Sequence, residues 1–437
     1  MTFIRVGGRR GFFPVVLEGV PITGCDGLPG LLQHAENGVD AVDLDSVTNC
    51  LLGDGVLSAF RLVRGMKMLR LSLAVLASLG LSVARMLAAA PLRPVPPYPP
   101  SPVIDRVEFD FSTHRRFAPG SDNWPTTWAS DDHLYSVWGD GGGFDGTNSK
   151  GRVKLGVARI TGSATDYVGK NVWGGLASEN PAQFEGKSYG VLSVAGVLYM
   201  WVAPQPNPHL ATAQIAVSRN QGATWTLADW KFEFADMLTI PTFLNFGRDY
   251  TGARDRFVYS YYIEPAWGPG VATKTTAHSF DVHQPGRVHL SRVPKDSILE
   301  RQKYEFFASI GSDEQPVWTT DLRRKQPVFA DANGVGWNLS VSYNSGLRRY
   351  ILSTEHTETH VGKMGLFDAP EPWGPWTTVA YEDAWGAGHV EVTTFYWNFN
   401  QKWLSEDGLR FTLIFTGKNT NDSWNTVAGR FVLEHAK

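Results

Sequence analysis

The chain has 437 residues, and its composition combines 24 Phe, 16 Trp and 14 Tyr with 45 Gly and 26 Pro. Aromatic residues favour strands, whereas Gly and Pro favour tight turns, so this composition predicts an all-β fold and argues against long helices. The formal net charge of −3 provides no general basic field for a phosphate backbone, which excludes nucleic acid from the expected partners.

Residues 1–65 lack the aromatic density of the remaining chain and are predicted to be a non-native or disordered extension. This extension contains both cysteines of the chain, Cys25 and Cys50. A disulfide between them is left open, but no CxxC spacing accompanies them, so no zinc site is predicted.

Residues 66–90 have the layout of a signal peptide, with a basic start, an apolar run that ends at Val83, and small residues at 88–90 for cleavage. The run is shorter than the roughly 20 residues that span a bilayer, so secretion is expected and a membrane anchor is the alternative. Any membrane contact is then transient and made by this segment only. Because a signal peptide begins a chain, Met66 or Met68 is predicted to be the true initiator.

Residues 91–102 (PLRPVPPYPPSP) predict an extended, Pro-rich linker. The β-rich domain, residues 103–437, follows it. Within this domain, five segments share the form of a hairpin, with a polar start, a Gly or Asn turn and a β-rich return. They are 123–138, 187–202, 242–262, 338–353 and 402–415. Five hairpins predict a β-propeller of five blades.

Two further segments are typical of outer strands in a blade. Residues 215–225 (IAVSRNQGATW) have the form of an Asp-box turn with Asn220 in the usual place of Asp, and their predicted role is structural. Residues 365–378 (GLFDAPEPWGPWTT) are similar to the outer hairpin of propeller glycosidases, in which two indoles are buried at a rigid turn.

Four features resemble the five-bladed propeller superfamily of arabinanases and invertases, over about residues 105–434. They are the hairpin series, the Asp-box-like turn, the segment APEPWGPWT and the closing segment KWLSEDGLRFTLIFTG. The sequence looks most similar to an uncharacterised domain class related to endo-D-arabinanases. The resemblance implies a five-bladed propeller whose inner strands line a funnel. It also implies a secreted glycoside hydrolase that acts on an arabinose-type or related polysaccharide without a cofactor. A structural calcium ion is left open.

Glycoside hydrolysis needs one protonated carboxyl group and one ionised carboxylate. In the family, the position before the first inner strand resembles that of an acid that acts as base or nucleophile, which implies this role for Asp122. Asp249 or Glu185 is then the expected proton donor. Asp140, in the Gly-rich stretch after the first hairpin, is expected to tune the pKa of the pair by like-charge repulsion. A turn-capping role for Asp122 is the alternative.

Six other side chains, aromatic, cationic or amide, are predicted to contact the sugar: Trp124, Lys187, Tyr189, Arg248, Asn338 and His389. Two alternatives to a hydrolase are kept open. A polysaccharide lyase would need a His or Tyr to abstract a proton and an Arg or Lys to neutralise a uronate carboxylate. A carbohydrate-binding propeller would bind glycans without turnover.

Overall fold

The computed structural model describes residues 94–144, 146, 153–174, 184, 186–204, 210, 212–266 and 280–434. They belong to one of the two units into which the chain divides, Arg93–Lys437. The predicted extension and signal peptide lie outside the described residues. Among the helical segments of the described ranges, none has the length and apolar character needed to cross a membrane.

Nearly all regular structure in the described residues is β-strand. In chain order the strands are β1 (Ile104–Phe117), β2 (Thr126–Trp128), β3 (Leu134–Trp138), β4 (Gly156–Thr161), β5 (Val168–Trp173), β6 (Gly186–Val194), β7 (Val197–Pro204), β8 (Ala213–Ser218), β9 (Thr226–Phe232), β10 (Thr239–Phe243), β11 (Phe257–Ile263), β12 (Arg287–Pro294), β13 (Glu305–Ile310), β14 (Pro316–Thr319), β15 (Pro327–Ala330), β16 (Ser340–Asn344), β17 (Arg349–Glu355), β18 (Met364–Ala369), β19 (Thr377–Tyr381), β20 (Thr394–Leu404), β21 (Arg410–Gly417) and β22 (Trp424–Leu433). Short 3-10 turns lie at Phe234–Asp236, Arg248–Tyr250, Arg301–Lys303, Leu322–Arg324 and Asn419–Asn421.

The described strands form five antiparallel sheets, which are the blades of a propeller. Blade I is β2–β5, blade II is β6–β9, and blade III is β10–β14 with β15 beside β12. Blade IV is β16–β19, and blade V is β20–β22 with β1 at its outer edge. The inner strands β2, β6, β10, β16 and β20 contact one another in this order, and β20 contacts β2. The predicted all-β, five-bladed fold is confirmed, and each predicted hairpin segment spans the turn between the first two strands of one blade.

Strands in the middle of a blade are buried on both faces. Every residue of β17 (RYILSTE) and β18 (MGLFDA) is buried, because neighbouring blades cover both sides of the sheet. Outer strand β5 (VGKNVW) is mostly exposed or half-buried instead. Burial on both faces removes the period-2 alternation of a surface sheet, so turns and composition indicate these strands better than alternation does.

The two ends of the described domain close the ring, because β1 pairs antiparallel with β22 in blade V. Phe109 of β1 faces Gly429 of β22, and a Cβ atom on that glycine would lie 2.6 Å from the ring of Phe411. Only glycine therefore fits at this crossing. The pairing also covers the edge of β22, whose unpaired backbone groups could otherwise pair with a strand of another molecule. The hairpin pattern did not predict β1, although the alternation of Val107, Phe109 and Phe111 indicates it.

Part of the predicted linker packs onto the propeller. The Tyr98 ring lies 5.2 Å from that of Phe329 in blade III and 6.0 Å from that of Phe367 in blade IV. The Tyr98 hydroxyl accepts a hydrogen bond from the Ala330 N–H (2.9 Å). The carbonyl of the next residue accepts one from the Thr378 N–H (2.8 Å). These contacts fix the segment before β1 across blades III and IV.

The inner strands run in the same direction, which gives the propeller two distinct faces. The side-chain amide of Asn123, just before β2, donates to the carbonyl of Ser188 near the start of β6 (3.3 Å). The Ser193 N–H, near the end of β6, donates to Thr127 Oγ1 in β2 (2.9 Å). We call the end where the inner strands begin the funnel face, and the end where they turn into the second strands the hairpin face.

A narrow channel runs between the inner strands. The cavity volume there is about 10 Å³, which is room for about one water molecule. A sugar ring is far larger than this. A saccharide would therefore have to bind on one of the two faces, and not along the axis.

Candidate functional site

The start of blade I brings two carboxylates to the funnel face. The Asp122 N–H donates to the Gly139 carbonyl (3.0 Å), and the Gly139 N–H donates to the Asp122 carbonyl (2.9 Å). This isolated bridge extends the β2–β3 pairing, and Asp140 is the next residue after it. Residues bridged in this way have Cα atoms about 5.5 Å apart, so Asp122 and Asp140 lie within reach of one ligand.

A lysine from blade II joins the two acids. The Nζ atom of Lys187 lies 2.5 Å from Oδ1 of Asp140. A Cβ atom on Gly139 would lie 3.2 Å from this Nζ and 3.0 Å from Oδ1 of Asp122, so the ammonium and both carboxylates surround one glycine. The side chains of Lys187 and Asp140 are 15% and 33% exposed, which leaves the pair accessible to a ligand.

A buried phenol lies close to the two acids. Tyr189 is only 2% exposed, and its Oη has no hydrogen-bond partner among the described residues. Burial raises the pKa of Tyr189 well above its ordinary value, and the charges of Asp122 and Asp140 raise it further. The phenol therefore stays protonated at neutral pH.

Two amides complete the centre of this face. Asn338, which precedes β16, donates its side-chain amide to Oδ1 of Asn123. Both residues are 1% exposed. Asn123 and Asp140 have positive φ angles of 68° and 57°, a region that Asn and Asp tolerate better than other residues with a Cβ. Such backbone conformations occur more often at functional sites than elsewhere.

A second charged cluster, which the sequence reasoning missed, lies at the funnel end of blade III. Glu264, directly after β11, accepts a hydrogen bond from Arg287 and shares one with Nε2 of His289, both at 2.7 Å. Burial opposes ionisation of Glu264, but these two hydrogen bonds outweigh it and lower the pKa of Glu264 to about 2. The sequence signal for this cluster is Glu264 itself, an acid that directly follows the buried strand sequence FVYSYYI.

Two of the predicted residues lie on the hairpin face instead. Asp249, which follows β10, accepts a hydrogen bond from the Ser193 hydroxyl (2.7 Å). Arg248 donates to the carbonyl of Ser130 in the β2–β3 turn (2.6 Å). The length of an inner strand separates the two faces by about 13 Å, whereas paired glycosidase carboxylates lie about 5–9.5 Å apart. The structure therefore does not bring Asp249 together with Asp122.

Trp124 and His389 also lie away from the centre of the funnel face. Trp124 is fully buried, and its ring centroid lies 5.6 Å from that of Trp138 and 5.3 Å from that of Trp424. The His389 ring stacks at 4.7 Å on Phe111 of β1, the outermost strand of blade V. Both side chains are therefore occupied by packing contacts within or between blades.

Glu185, the remaining predicted acid, lies outside the described residues. The predicted residues that the structure brings together are Asp122, Asp140, Lys187, Tyr189 and Asn338. With Asn123 we call them the candidate site. Within the described segments, no group of three or more His, Cys, Asp or Glu side chains could hold a metal ion.

Comparison with solved structures finds family-43 glycoside hydrolases. The GH43_1 enzyme from Xanthomonas citri is 14% identical, with 76% of this chain and 92% of that chain covered and a TM-score of 0.44. A thermostable family-43 glycoside hydrolase is 12% identical, with 73% and 90% covered and a TM-score of 0.41. A GH43 beta-xylosidase/alpha-arabinofuranosidase from a compost microbial metagenome is 11% identical, with 74% and 98% covered and a TM-score of 0.44. At this level of similarity, neither activity nor site residues transfer to this chain.

Comparison with curated protein sequences finds no significant match. Among protein families, the model of a domain of unknown function, DUF4185, matches residues 190–414. The match confirms the expected likeness to an uncharacterised domain class. It begins one residue after Tyr189, so Asp122, Asp140 and Lys187 lie outside the matched segment. Because the match covers more than half of the 437 residues, the chain belongs to the DUF4185 family.

Proposed function

We propose that this protein is a glycoside hydrolase whose reaction takes place at the candidate site on the funnel face. The observation that carries the proposal is the arrangement around Gly139, where the carboxylates of Asp122 and Asp140 and the ammonium of Lys187 meet beside the buried Tyr189 phenol. Glycosidic bond cleavage requires carboxyl groups as acid and base, and Asp122 can provide one of them.

Asp122 is the proposed base or nucleophile. Its Oδ1 and the Lys187 ammonium lie beside the same point of the backbone, Gly139. As base it would take a proton from water, whose oxygen then attacks the anomeric carbon. As nucleophile it would form a bond to that carbon, which water later breaks. Asp140, held by Lys187, would orient a sugar hydroxyl or the attacking water.

The proposed proton donor is Glu185, which in the sequence directly precedes Gly186 and Lys187 of β6. Its proton would pass to the leaving glycosidic oxygen, so that the leaving sugar departs as a neutral alcohol. The substrate is proposed to be a polysaccharide, and arabinose is the sugar that the sequence resemblance implies. No cofactor enters this reaction. Secretion is proposed from the signal-peptide layout of residues 66–90.

The lyase alternative is less well supported by the placement of its candidate residues. A phenol whose pKa is raised by burial and by two carboxylates is a poor base, which counts against Tyr189 in that role. Arg248 lies on the hairpin face, and His389 stacks beside the outermost strand. A cation beside the site that could neutralise a uronate, Lys187, already pairs with Asp140.

The test is a product assay of the full chain on a panel of polysaccharides, reading reducing ends and ultraviolet absorbance together. Three proteins are compared: wild type, Asp122→Asn, and the matched control Asp110→Asn, an exposed acid on β1. We expect wild type and Asp110→Asn to release reducing ends without ultraviolet absorbance. Asp122→Asn should lose about 10²–10⁴-fold in kcat, as removal of an acid–base group does, and should still bind the glycan.

Three results would contradict the proposal. Ultraviolet-absorbing products would show a lyase. Tight glycan binding without any product would show a carbohydrate-binding propeller. Equal turnover by wild type and Asp122→Asn would show a hydrolase whose chemistry lies elsewhere.

A further inference from the structure

A fully buried carboxyl group lies at the funnel end of blade IV. Glu355, the last residue of β17, is 0% exposed. Its Oε1 accepts a hydrogen bond from the His360 N–H (2.6 Å), and its Oε2 accepts one from the Thr359 hydroxyl (2.8 Å). Among the described residues no cation lies within ion-pair distance of Glu355, which is unusual for a buried acid.

The carboxyl group packs against the segment that leads into inner strand β16. The Gly336 N–H donates to the Glu355 carbonyl (3.0 Å). A Cβ atom on Gly336 would lie 2.7 Å from Glu355 Cβ and 2.9 Å from its Oε2, so only glycine fits against this side chain. The next residue, Trp337, donates its indole N–H to Thr359 Oγ1 (3.1 Å), the same hydroxyl that contacts Glu355.

This segment also contacts the candidate site. The Trp337 ring meets the Tyr189 ring edge to face, with centroids 5.8 Å apart and an interplanar angle of 85°. Asn338 donates its amide to Asn123, the neighbour of Asp122. A continuous chain of contacts therefore runs from Glu355 through residues 336–338 to the Tyr189 ring and to the side chain of Asn123.

We propose that Glu355 is a positioning residue of the candidate site, which holds residues 336–338 in place and thereby fixes Trp337 against Tyr189 and Asn338 against Asn123. The structural part of this inference stands on the contacts alone. Its effect on turnover rests on the proposed function.

The electrostatics of the cluster favour a neutral Glu355. Burial raises the pKa of Glu355 to about 8, although the hydrogen bonds from His360 and Thr359 and the charge of Lys418 act in the opposite direction. Burial also lowers the pKa of His360 to about 4, with Lys418 lowering it and Asp281 raising it. Gly336 and Trp337 have no titratable group. Between about pH 5 and pH 7 the carboxyl group and the imidazole are therefore both mostly uncharged.

A neutral carboxylic acid has one acceptor oxygen and one donor, as a glutamine amide has. In Glu355→Gln the amide oxygen can still accept from the His360 N–H and the amide nitrogen can donate to Thr359 Oγ1, whereas Glu355→Ala removes both contacts. The matched control is Glu358→Ala, three residues further on, whose side chain is 65% exposed. Hydrogen–deuterium exchange of the peptide that covers residues 336–339 in the full chain reads the position of the segment without any substrate.

We expect exchange in this peptide to rise about tenfold in Glu355→Ala and to match wild type in Glu355→Gln and Glu358→Ala. On a glycan that wild type hydrolyses, Glu355→Ala should lower kcat/KM at least tenfold. Wild type should lose activity above about pH 8, and Glu355→Gln should not. If Glu355→Ala does not fold, Glu355→Asp, which is one methylene shorter, replaces it.

Unchanged exchange in Glu355→Ala, or equal disturbance in Glu355→Gln and Glu355→Ala, would overturn the proposal. A wild type that hydrolyses no glycan would count against the proposed function only, because the exchange experiment reads Glu355 independently of turnover. Wild-type turnover combined with unchanged exchange would count against the role of Glu355 only.

Discussion

Lys187 and Asp140 form a 2.5 Å ion pair that joins blade II to blade I at the funnel face. The pair brings a cation from one blade to a carboxylate that the Asp122–Gly139 bridge has already placed beside a second carboxylate. The candidate site is therefore assembled across a blade boundary, and its charge balance depends on the contact between the two blades.

Removing the cation should lower activity. In Lys187→Met, the Asp140 carboxylate loses the ammonium that holds it at the boundary between blades I and II. Because misplacement of a site group slows the reaction, we expect kcat/KM to fall about tenfold. Lys231→Met, which removes a lysine 3.4 Å from the exposed Glu233, is the control and should keep wild-type kcat/KM. Equal kcat/KM values for Lys187→Met and wild type would count against a site at this position.

Alanine should lower activity at Gly139 but stability at Gly141. In Gly139→Ala the new Cβ meets only the mobile ends of Asp122 and Lys187, at 3.0 and 3.2 Å. Stability should change by less than about 1 kcal/mol, while displacement of the carboxylate lowers kcat/KM by about 10²-fold. In Gly141→Ala, φ is +68° and the Cβ would lie 2.1 Å from the Gly120 carbonyl oxygen, so stability should fall by about 1–3 kcal/mol.

Thermal unfolding and steady-state kinetics of both variants check this contrast. A Gly139→Ala protein with wild-type activity would show that no reacting group lies at this bridge. A Gly141→Ala protein as stable as wild type would show that the turn after Asp140 can relax.

The buried ion pair of blade IV should be critical for stability. Arg349 Nε lies 2.6 Å from Asp368 Oδ2, and the Asp368 side chain is 0% exposed. Arg349→Met leaves this carboxylate buried without its cation, which should lower the free energy of unfolding by about 3–5 kcal/mol. Arg323→Met breaks a pair whose arginine is 89% exposed, and it should leave the free energy of unfolding nearly unchanged. Denaturant titration of both variants measures the difference, and equal losses would refute the expectation.

Glu264 should make stability sensitive to acid. Its pKa is about 2 in the folded protein and 4.5 when unperturbed, so the folded state favours the ionised form. The resulting stabilisation is complete above about pH 4.5 and is lost as the pH falls towards 2. Because Glu264 and Arg287 are 19% and 48% exposed, solvent screening reduces this contribution to about 1–2 kcal/mol.

Unfolding free energies of wild type and Glu264→Gln at pH 6 and pH 3 test this sign. The wild type should be more stable than the variant at pH 6, and the difference should shrink at pH 3. Glu406→Gln removes an exposed acid in the β20–β21 turn and is the matched control for removal of a carboxylate. A difference in unfolding free energy between wild type and Glu264→Gln that is larger at pH 3 than at pH 6 would contradict the lowered pKa of Glu264.

Several parts of the candidate site were predictable because their signals are local. The polar stretch before each hairpin pointed to Asp122, Lys187 and Tyr189, since turn residues and strand residues alternate along the chain. Asp249 met the same local criterion, because Asn-Phe-Gly-Arg-Asp-Tyr also combines an acid, a cation and a phenol near an inner strand. It differs in following its strand, and so lies on the hairpin face.

The sequence by itself determined the all-β class, the five inner hairpins and the outer turns, because backbone preference, aromatic content and Gly or Pro turns act over a few residues. Only the tertiary structure decided which acids meet. The Asp122–Gly139 bridge, the Lys187–Asp140 pair and the Asn123–Asn338 contact join residues far apart in the chain. The tertiary structure also raises the pKa of Glu355, because that pKa depends on burial and neighbouring charges, which folding alone supplies.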